Sequence, residues 1–130
     1  MTFTGWSGNL QSASNAISGK DIAGADVSYT EGLSVGGASS ATRYTKLVVP
    51  TGKTANVYVA FVTGSNKNAR GCGIGTESSS SKFDTVALVQ NSSTSAMSYL
   101  TTETPLAAGT YYINTDNNIR IYAIQVQLLK

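Results

Sequence analysis

The fold class follows most directly from residues 55–62, which read ANVYVAFV. Successive side chains of a β-strand point to opposite faces of the sheet. Alternate positions of this run place two valines and Phe61 on one face, and Tyr58, an alanine and a valine on the other. Both faces are therefore apolar, which is typical of a strand covered on both sides. The run predicts a central strand of a β-sheet protein.

Residues 119–129, IRIYAIQVQLL, form a second long β-rich run. Strict alternation places Tyr122, Ile124, Val126 and Leu128 on one face. The opposite face begins with isoleucines and ends with glutamines, so it becomes polar toward the C-terminus. The run therefore predicts a strand whose end is exposed to solvent on one side.

Other short β-rich runs alternate with Gly, Ser and Asn, and residues 50–53 (PTGK) and 116–118 (DNN) read as turns. Residues 9–20 carry only a weak helical stripe, enough for a turn or two of helix. The remaining predicted strands are 27–29, 33–35, 42–49, 71–76, 83–89, 97–102 and 109–114. Strands at roughly 8–12-residue spacing predict an all-β, antiparallel β-sandwich of jelly-roll type. The length of 130 residues predicts one domain over residues 1–130.

Composition excludes several classes of function. The chain has no histidine and one cysteine, Cys72, so it has no Ser-His-Asp or Cys-His triad and no internal disulfide. Lys+Arg number 9 and Asp+Glu 7, too few cations for a typical nucleic-acid binder. No apolar run approaches the ~20 residues that span a membrane, and the first residues show no leader pattern. We therefore expect a binding domain without catalytic residues.

The basic residues are unevenly placed along the chain. Between residues 42 and 83 there are six cations and one acid, Glu77, whereas the rest of the chain is acidic. The six are Arg43, Lys46, Lys53, Lys67, Arg70 and Lys82. One exposed ion pair contributes only about 0–1 kcal/mol, but several together can hold a polyanion in a salt-sensitive way. The alternative is a set of solvated cations scattered around the sandwich.

Other candidate sites have structural alternatives. Residues 70–75, RGCGIG, are glycine-rich, but no helix follows them, as a phosphate-binding loop requires. Glycines in a strand more often allow a bulge or let another backbone approach closely. We interpret Cys72 as a small buried residue. Asp21 and Asp26 could hold a structural calcium ion, although solvated turn residues are favoured. No other cofactor is expected. Asn91-Ser92-Ser93 matches a glycosylation acceptor, a pattern common by chance.

Several segments together resemble the non-catalytic, pectin-binding β-sandwich modules attached to bacterial pectate lyases and other pectinases, such as carbohydrate-binding module family 77. The similarity spans residues 22–126, and its most specific part is AGTYYI at 108–113. The other segments are Gly36-Gly37, Arg43-Tyr44, Val57-Tyr58-Val59, Arg70 and IRIYAI at 119–124.

The resemblance implies a monomeric module that binds weakly esterified homogalacturonan through basic side chains. It also implies a catalytic pectinase domain in the same parent chain and an extracellular location at the plant cell wall. Arg43 and Arg70 match positions where the family carries arginine, whereas Lys46, Lys53, Lys67 and Lys82 are assigned from charge alone. Lys67 and Lys82 lie in or beside predicted loops.

Two alternatives stay open at this point. One is a sandwich that binds a neutral β-glucan or hemicellulose through its tyrosines and Trp6, because aromatic faces suit pyranose rings. The other is a structural or adhesion domain with no glycan ligand.

Overall fold

Ten strands form two five-stranded antiparallel sheets in the computed structural model, which describes residues 2–4, 10–35, 44–64, 69–77, 84–115 and 119–129. The strands are β1 (Thr2–Thr4), β2 (Leu10–Lys20), β3 (Asp26–Val35), β4 (Tyr44–Val49), β5 (Thr54–Thr63), β6 (Arg70–Gly75), β7 (Ala87–Asn91), β8 (Ser98–Thr101), β9 (Gly109–Thr115) and β10 (Ile119–Leu129). Sheet A has the order β1-β4-β9-β6-β7, and sheet B has the order β2-β3-β10-β5-β8. The predicted all-β sandwich is confirmed. The described residues include no helix long and apolar enough to cross a membrane.

Most predicted strands are present, with three differences near the N-terminus, the first of which is the unpredicted strand β1. Residues 10–20 form strand β2 rather than helical turns, because they pair with β3 in an antiparallel ladder. The predicted strands 27–29 and 33–35 are parts of the single strand β3. The predicted turn at 50–53 is confirmed, with Lys53 N donating to Pro50 O at 3.1 Å and Gly52 at a φ of 82°. The predicted turn at 116–118 lies outside the described residues.

The core lies between the two sheets, and β5 supplies its centre. Val59 and Phe61 are fully buried in it, beside Ile74 of β6 and Ile113 of β9. Tyr58, on the opposite face of β5, is only 4% exposed, and β5 lies between β10 and β8. The prediction of a strand covered on both faces is therefore confirmed.

Strand β10 departs from the predicted alternation at a bulge. Its pairing with β5 shifts between Ile121 and Ala123, so that Ile121 pairs with Phe61 and Ala123 with Ala60. A bulge adds one residue to a strand and changes which side chains face the partner sheet. Ile121 therefore enters the core together with Ile124, although strict alternation put them on opposite faces. The prediction that Tyr122 shares a face with Ile124 is wrong for this reason.

The far end of the β2–β3 hairpin, residues 17–30, lies across the outer face of sheet B; we call it the hairpin arm. Strand β3 pairs with β10 only near Leu33, so the arm is not held in the ladder. Instead, Lys20 N donates to the Tyr99 hydroxyl of β8 at 3.0 Å, and Ile22 N donates to Gln125 Oε1 at 2.9 Å. The arm thus connects both sides of sheet B and covers part of its outer face.

Candidate functional site

Three of the six predicted ligand-binding cations, Arg43, Lys67 and Lys82, lie outside the described residues. The other three are at separate places on the sandwich. Lys46 of β4 is half-buried on the outer face of sheet A, in register with Tyr112. Lys53 lies in the turn between β4 and β5.

Arg70 begins β6, at the end of sheet A opposite to Lys53. Gly75, at the other end of β6, pairs with Tyr112, and Tyr112 also pairs with Lys46. Arg70 lies five residues from Gly75, so Arg70 and Lys46 are about 17 Å apart along the strand direction. Arg70 shares the core-facing side of β6 with Cys72, and its Nε atom is buried. The described residues therefore contain no convergent group of these cations, and their assignment to a ligand stays a prediction.

The two aspartates proposed for calcium take part in the hairpin turn. Asp21 Oδ1 accepts hydrogen bonds from Ala23 N and Ala25 N, both at 2.9 Å. Asp26 forms an ion pair with Lys20. Within the described ranges, no group of three or more His, Cys, Asp or Glu side chains is placed to hold a metal ion. Asp21 thus caps the hairpin turn, Asp26 begins β3 beside Lys20, and the absence of a calcium ion stays a prediction.

Asn91, the acceptor of the glycosylation pattern, is a buried and hydrogen-bonded part of the fold. The Asn91 side chain is 6% exposed and makes four hydrogen bonds around the loop between β7 and β8. A buried amide with all its partners in place is a structural group. Cys72 is likewise buried in the core, as predicted.

Tyrosines form a layer between the hairpin arm and sheet B. The rings of Tyr58 and Tyr99 stack with centroids 5.4 Å apart, and those of Tyr29 and Tyr122 lie 5.8 Å apart. Burial raises the pKa of the Tyr58 phenol, and the neighbouring Tyr99, Tyr29 and Asp21 raise it further, so the phenol stays neutral.

This layer gives no open aromatic platform. No tyrosine side chain that the structure describes is exposed. Trp6 and the Tyr44 side chain lie outside that description. The described part of the chain therefore offers no exposed aromatic ring for the binding of a neutral glycan through tyrosines.

A cleft opens where the turn of the hairpin arm meets the ends of β5, β8 and β10, and we call it the hairpin cleft. Its volume is about 450 Å³, within the range of about 300–1,000 Å³ common for ligand sites. It is lined by Asp21, Ile22, Gly24, Asn56, Val57, Tyr58, Thr101, Thr102, Glu103, Pro105 and Gln127. Most of these side chains carry a hydroxyl, amide or carboxylate group.

The floor of the hairpin cleft is held by backbone and side-chain hydrogen bonds. Val57 N donates to Thr102 Oγ1 at 3.1 Å, and Thr102 N donates to Val57 O at 3.2 Å. Asn56 Nδ2 lies 3.5 Å from Gln127 Oε1, the outer limit of a hydrogen bond. The two amides consequently have free donor and acceptor capacity toward a ligand.

The electrostatic character of the hairpin cleft is acidic. Asp21 and Glu103 line it, and no lysine or arginine does so among the residues described. Glu103 is exposed and makes no hydrogen bond within the described part of the chain. The hydroxyl of Tyr58 is buried and has no hydrogen-bond partner there. This arrangement suits neutral polyhydroxyl groups and repels carboxylates.

Sequence reasoning missed the residues of the hairpin cleft, because they are brought together by the arm crossing sheet B. From the sequence, Asp21 is only a calcium candidate, and Glu103 is one of seven acidic residues with no assigned role. The polar end of β10, at Gln125 and Gln127, was the one available signal. Gln125 anchors the arm, and Gln127 lines the cleft.

Comparison with known proteins supports the fold class. No family model and no curated protein matches the sequence. Among solved structures, the chain is similar to the CBM22-1 xylan-binding domain of Xyn10C from Paenibacillus barcinonensis, with a TM-score of 0.51. The match covers 98% of this chain and 92% of that chain at 10% sequence identity. At this identity the likeness shows a shared β-sandwich fold.

Proposed function

We propose that this chain is a non-catalytic carbohydrate-binding module that holds a neutral plant polysaccharide, of the xylan or related hemicellulose class, in the hairpin cleft. The lining of that cleft carries the proposal. It presents amides, hydroxyls and carboxylates at a fixed site, and these groups recognise sugar hydroxyls by hydrogen bonds. The xylan-binding neighbour, which shares the fold, supports the ligand class.

The acidic lining favours a neutral polymer over a uronate polymer. A carboxylate of the ligand placed near Asp21 and Glu103 would meet two like charges, and this repulsion is strongest at low salt. Neutral hydroxyl groups can instead donate to the same carboxylates, and such charge-assisted hydrogen bonds are strong.

The arrangement of the two carboxylates supports binding without chemistry. A glycosidase requires one carboxyl group as acid and another as base or nucleophile on either side of the scissile bond. Asp21 Oδ1 accepts two backbone N–H groups of the hairpin turn, so this oxygen already serves the turn and does not stand free beside a scissile bond. We expect this chain alone to release no sugar product from xylan.

Affinity electrophoresis on a panel of glycans tests the proposal. Xylan should retard the protein, and Asn56→Ala should weaken the retardation about 2- to 12-fold, the effect of losing one hydrogen bond of about 0.5–1.5 kcal/mol. Gln90→Ala is the matched control, because Gln90 is an exposed amide on β7 outside the cleft. The proposal is wrong if no neutral polysaccharide retards the protein.

Pectin is the second candidate ligand, supported by the clustering of cations in residues 42–83. Lys46 is half-buried on the outer face of sheet A, beside Tyr112, and its ammonium group would suit the carboxylate of a uronate sugar. In that case polygalacturonate should retard the protein at low salt, and retardation should fall with salt and with methyl esterification.

We also propose that the module acts outside the cell as part of a longer secreted enzyme. Binding to the cell wall would raise the effective concentration of the attached catalytic domain at its substrate. The module fold and the resemblance to pectinase-linked modules support this setting, in which the partner is either a pectinase or another polysaccharide-degrading domain.

A further inference from the structure

A second cleft adjoins the hairpin cleft, and we call it the edge cleft. It lies between β7, the edge strand of sheet A, and the segment that follows β8, and its volume is about 730 Å³. Its lining includes Val86, which is 41% exposed, beside Ala87 and Val89, whose side chains pack against the core. Exposed apolar side chains grouped at a concave surface commonly mark a binding site.

The two clefts are adjacent and share one wall. Four residues line both of them, namely Thr101, Thr102, Glu103 and Pro105, which together form a ridge between the clefts. A ligand that follows the hairpin cleft across this ridge therefore enters the edge cleft.

The ridge is rigid because backbone hydrogen bonds to β5 hold it at both ends. Thr102 N donates to Val57 O at 3.2 Å. Beyond the ridge, Leu106 N donates to Ala55 O at 2.7 Å, and Ala55 N donates back to Leu106 O at 3.0 Å. Tyr111 adds a bond from its hydroxyl to Ala107 O at 2.9 Å. A preformed ridge reduces the entropy lost when a ligand binds.

The chemistry of the edge cleft is amphipathic in a way that fits a sugar chain. Thr76 and Thr104 offer hydroxyls, whereas Val86 and Pro105 offer apolar surface. A pyranose ring presents hydroxyls at its rim and C–H groups on its faces, so it can use both kinds of contact at once. No lysine or arginine lines this cleft in the ranges that the structure describes.

We infer that the edge cleft is a second subsite for the same neutral polysaccharide chain that the hairpin cleft binds. The inference rests on the proposed function and deepens it. The module would bind an internal stretch of a long polymer, which passes over the Thr101–Pro105 ridge, rather than a chain end.

Titration calorimetry with neutral xylo-oligosaccharides of increasing length tests the inference. Affinity should rise with length until the oligosaccharide spans both clefts. Val86→Ser should weaken binding of long oligosaccharides about 4- to 15-fold, the effect of removing one or two apolar carbons from contact, and should leave short ones unchanged. Thr104→Val, which removes a hydroxyl from the edge cleft alone, should act in the same direction.

Val48→Ser is the matched control, because Val48 is 55% exposed on the outer face of sheet A and two strands lie between its strand and β7. It should change affinity at no length. The inference is overturned if affinity stops rising at lengths that fill one cleft, or if Val86→Ser has the same effect at every length. It is also overturned if Val86→Ser changes the oligomeric state and not glycan affinity, which would identify a protein contact. Absence of binding at every length would instead refute the proposed function.

Discussion

Substitution of Asn91 by alanine should destabilise the sandwich more than any other change in the loop between β7 and β8. Asn91 Oδ1 accepts from Thr63 N at 3.1 Å and from Ser93 N at 2.7 Å. Its Nδ2 donates to Ala96 O at 2.8 Å and to Ser98 Oγ at 2.9 Å. The side chain thus joins β5, β7 and β8 at one buried point.

The magnitude follows from what each partner keeps after the change. Thr63 N retains Ser93 O as a second acceptor at 3.2 Å, and the half-buried Ser98 hydroxyl can find water. The main losses are the bonds to Ala96 O and Ser93 N and part of the bond to Thr63 N. At about 1 kcal/mol for each bond, and more for a group left unsatisfied, the expected loss is about 3 kcal/mol. For a domain of this size that loss lowers Tm by about 10 °C.

Urea and thermal unfolding followed by circular dichroism measure this loss directly. Ser92→Ala is the matched control, because Ser92 is exposed in the same loop, and it should change the free energy of unfolding by less than about 0.5 kcal/mol. If Asn91→Ala costs less than about 1 kcal/mol, the buried amide is not the connection described here.

Three further predictions concern the arm and the two faces of the sandwich. Tyr58→Phe removes a buried hydroxyl without a partner in the described structure, so stability should be unchanged or rise by about 1 kcal/mol. Burial raises the pKa of Tyr58, so its pH-dependent contribution to stability is fully present below the unfolded pKa of about 10 and is lost as the pH rises above that value. Tyr58→Phe should therefore reduce the loss of stability that unfolding titrations show at alkaline pH. Gly32→Ala should cost about 1–3 kcal/mol by denaturation, since a methyl group there would lie 2.7 Å from Arg120 Cγ, and an unchanged midpoint would contradict the close approach. Lys46→Ala should leave xylan affinity unchanged in electrophoresis, and it should weaken polygalacturonate retardation only if the pectin proposal is correct.

Much of the fold could be predicted because the strongest local signals agree with the tertiary structure. The two apolar faces of residues 55–62 match the central position of β5, and the turn at 50–53 has the geometry that its proline and glycine favour. Strand β2 was missed because its Ser- and Asn-rich sequence has little intrinsic preference, and pairing with β3 determines its conformation. The bulge after Ile121 was missed because alternation gives no sign of an added residue.

The candidate site was less predictable, because it depends on contacts between residues far apart in the chain. Asp21 and Glu103 meet at one cleft only because the hairpin arm leaves the ladder and crosses sheet B. The charge count along the sequence pointed instead to a basic surface. Three of the six cations in that count are described, and they lie at both ends and on different faces of the sandwich: Lys46, Lys53 and Arg70.

The most direct test of the central claim is the affinity of the intact chain for xylan and for polygalacturonate, each measured at low and at high salt. A neutral chain bound by amides and hydroxyls in an acidic cleft should give xylan affinity that salt does not change, together with weak or absent binding of polygalacturonate. Salt-sensitive binding of polygalacturonate without binding of xylan would contradict the account and would place recognition on the basic residues of the central segment.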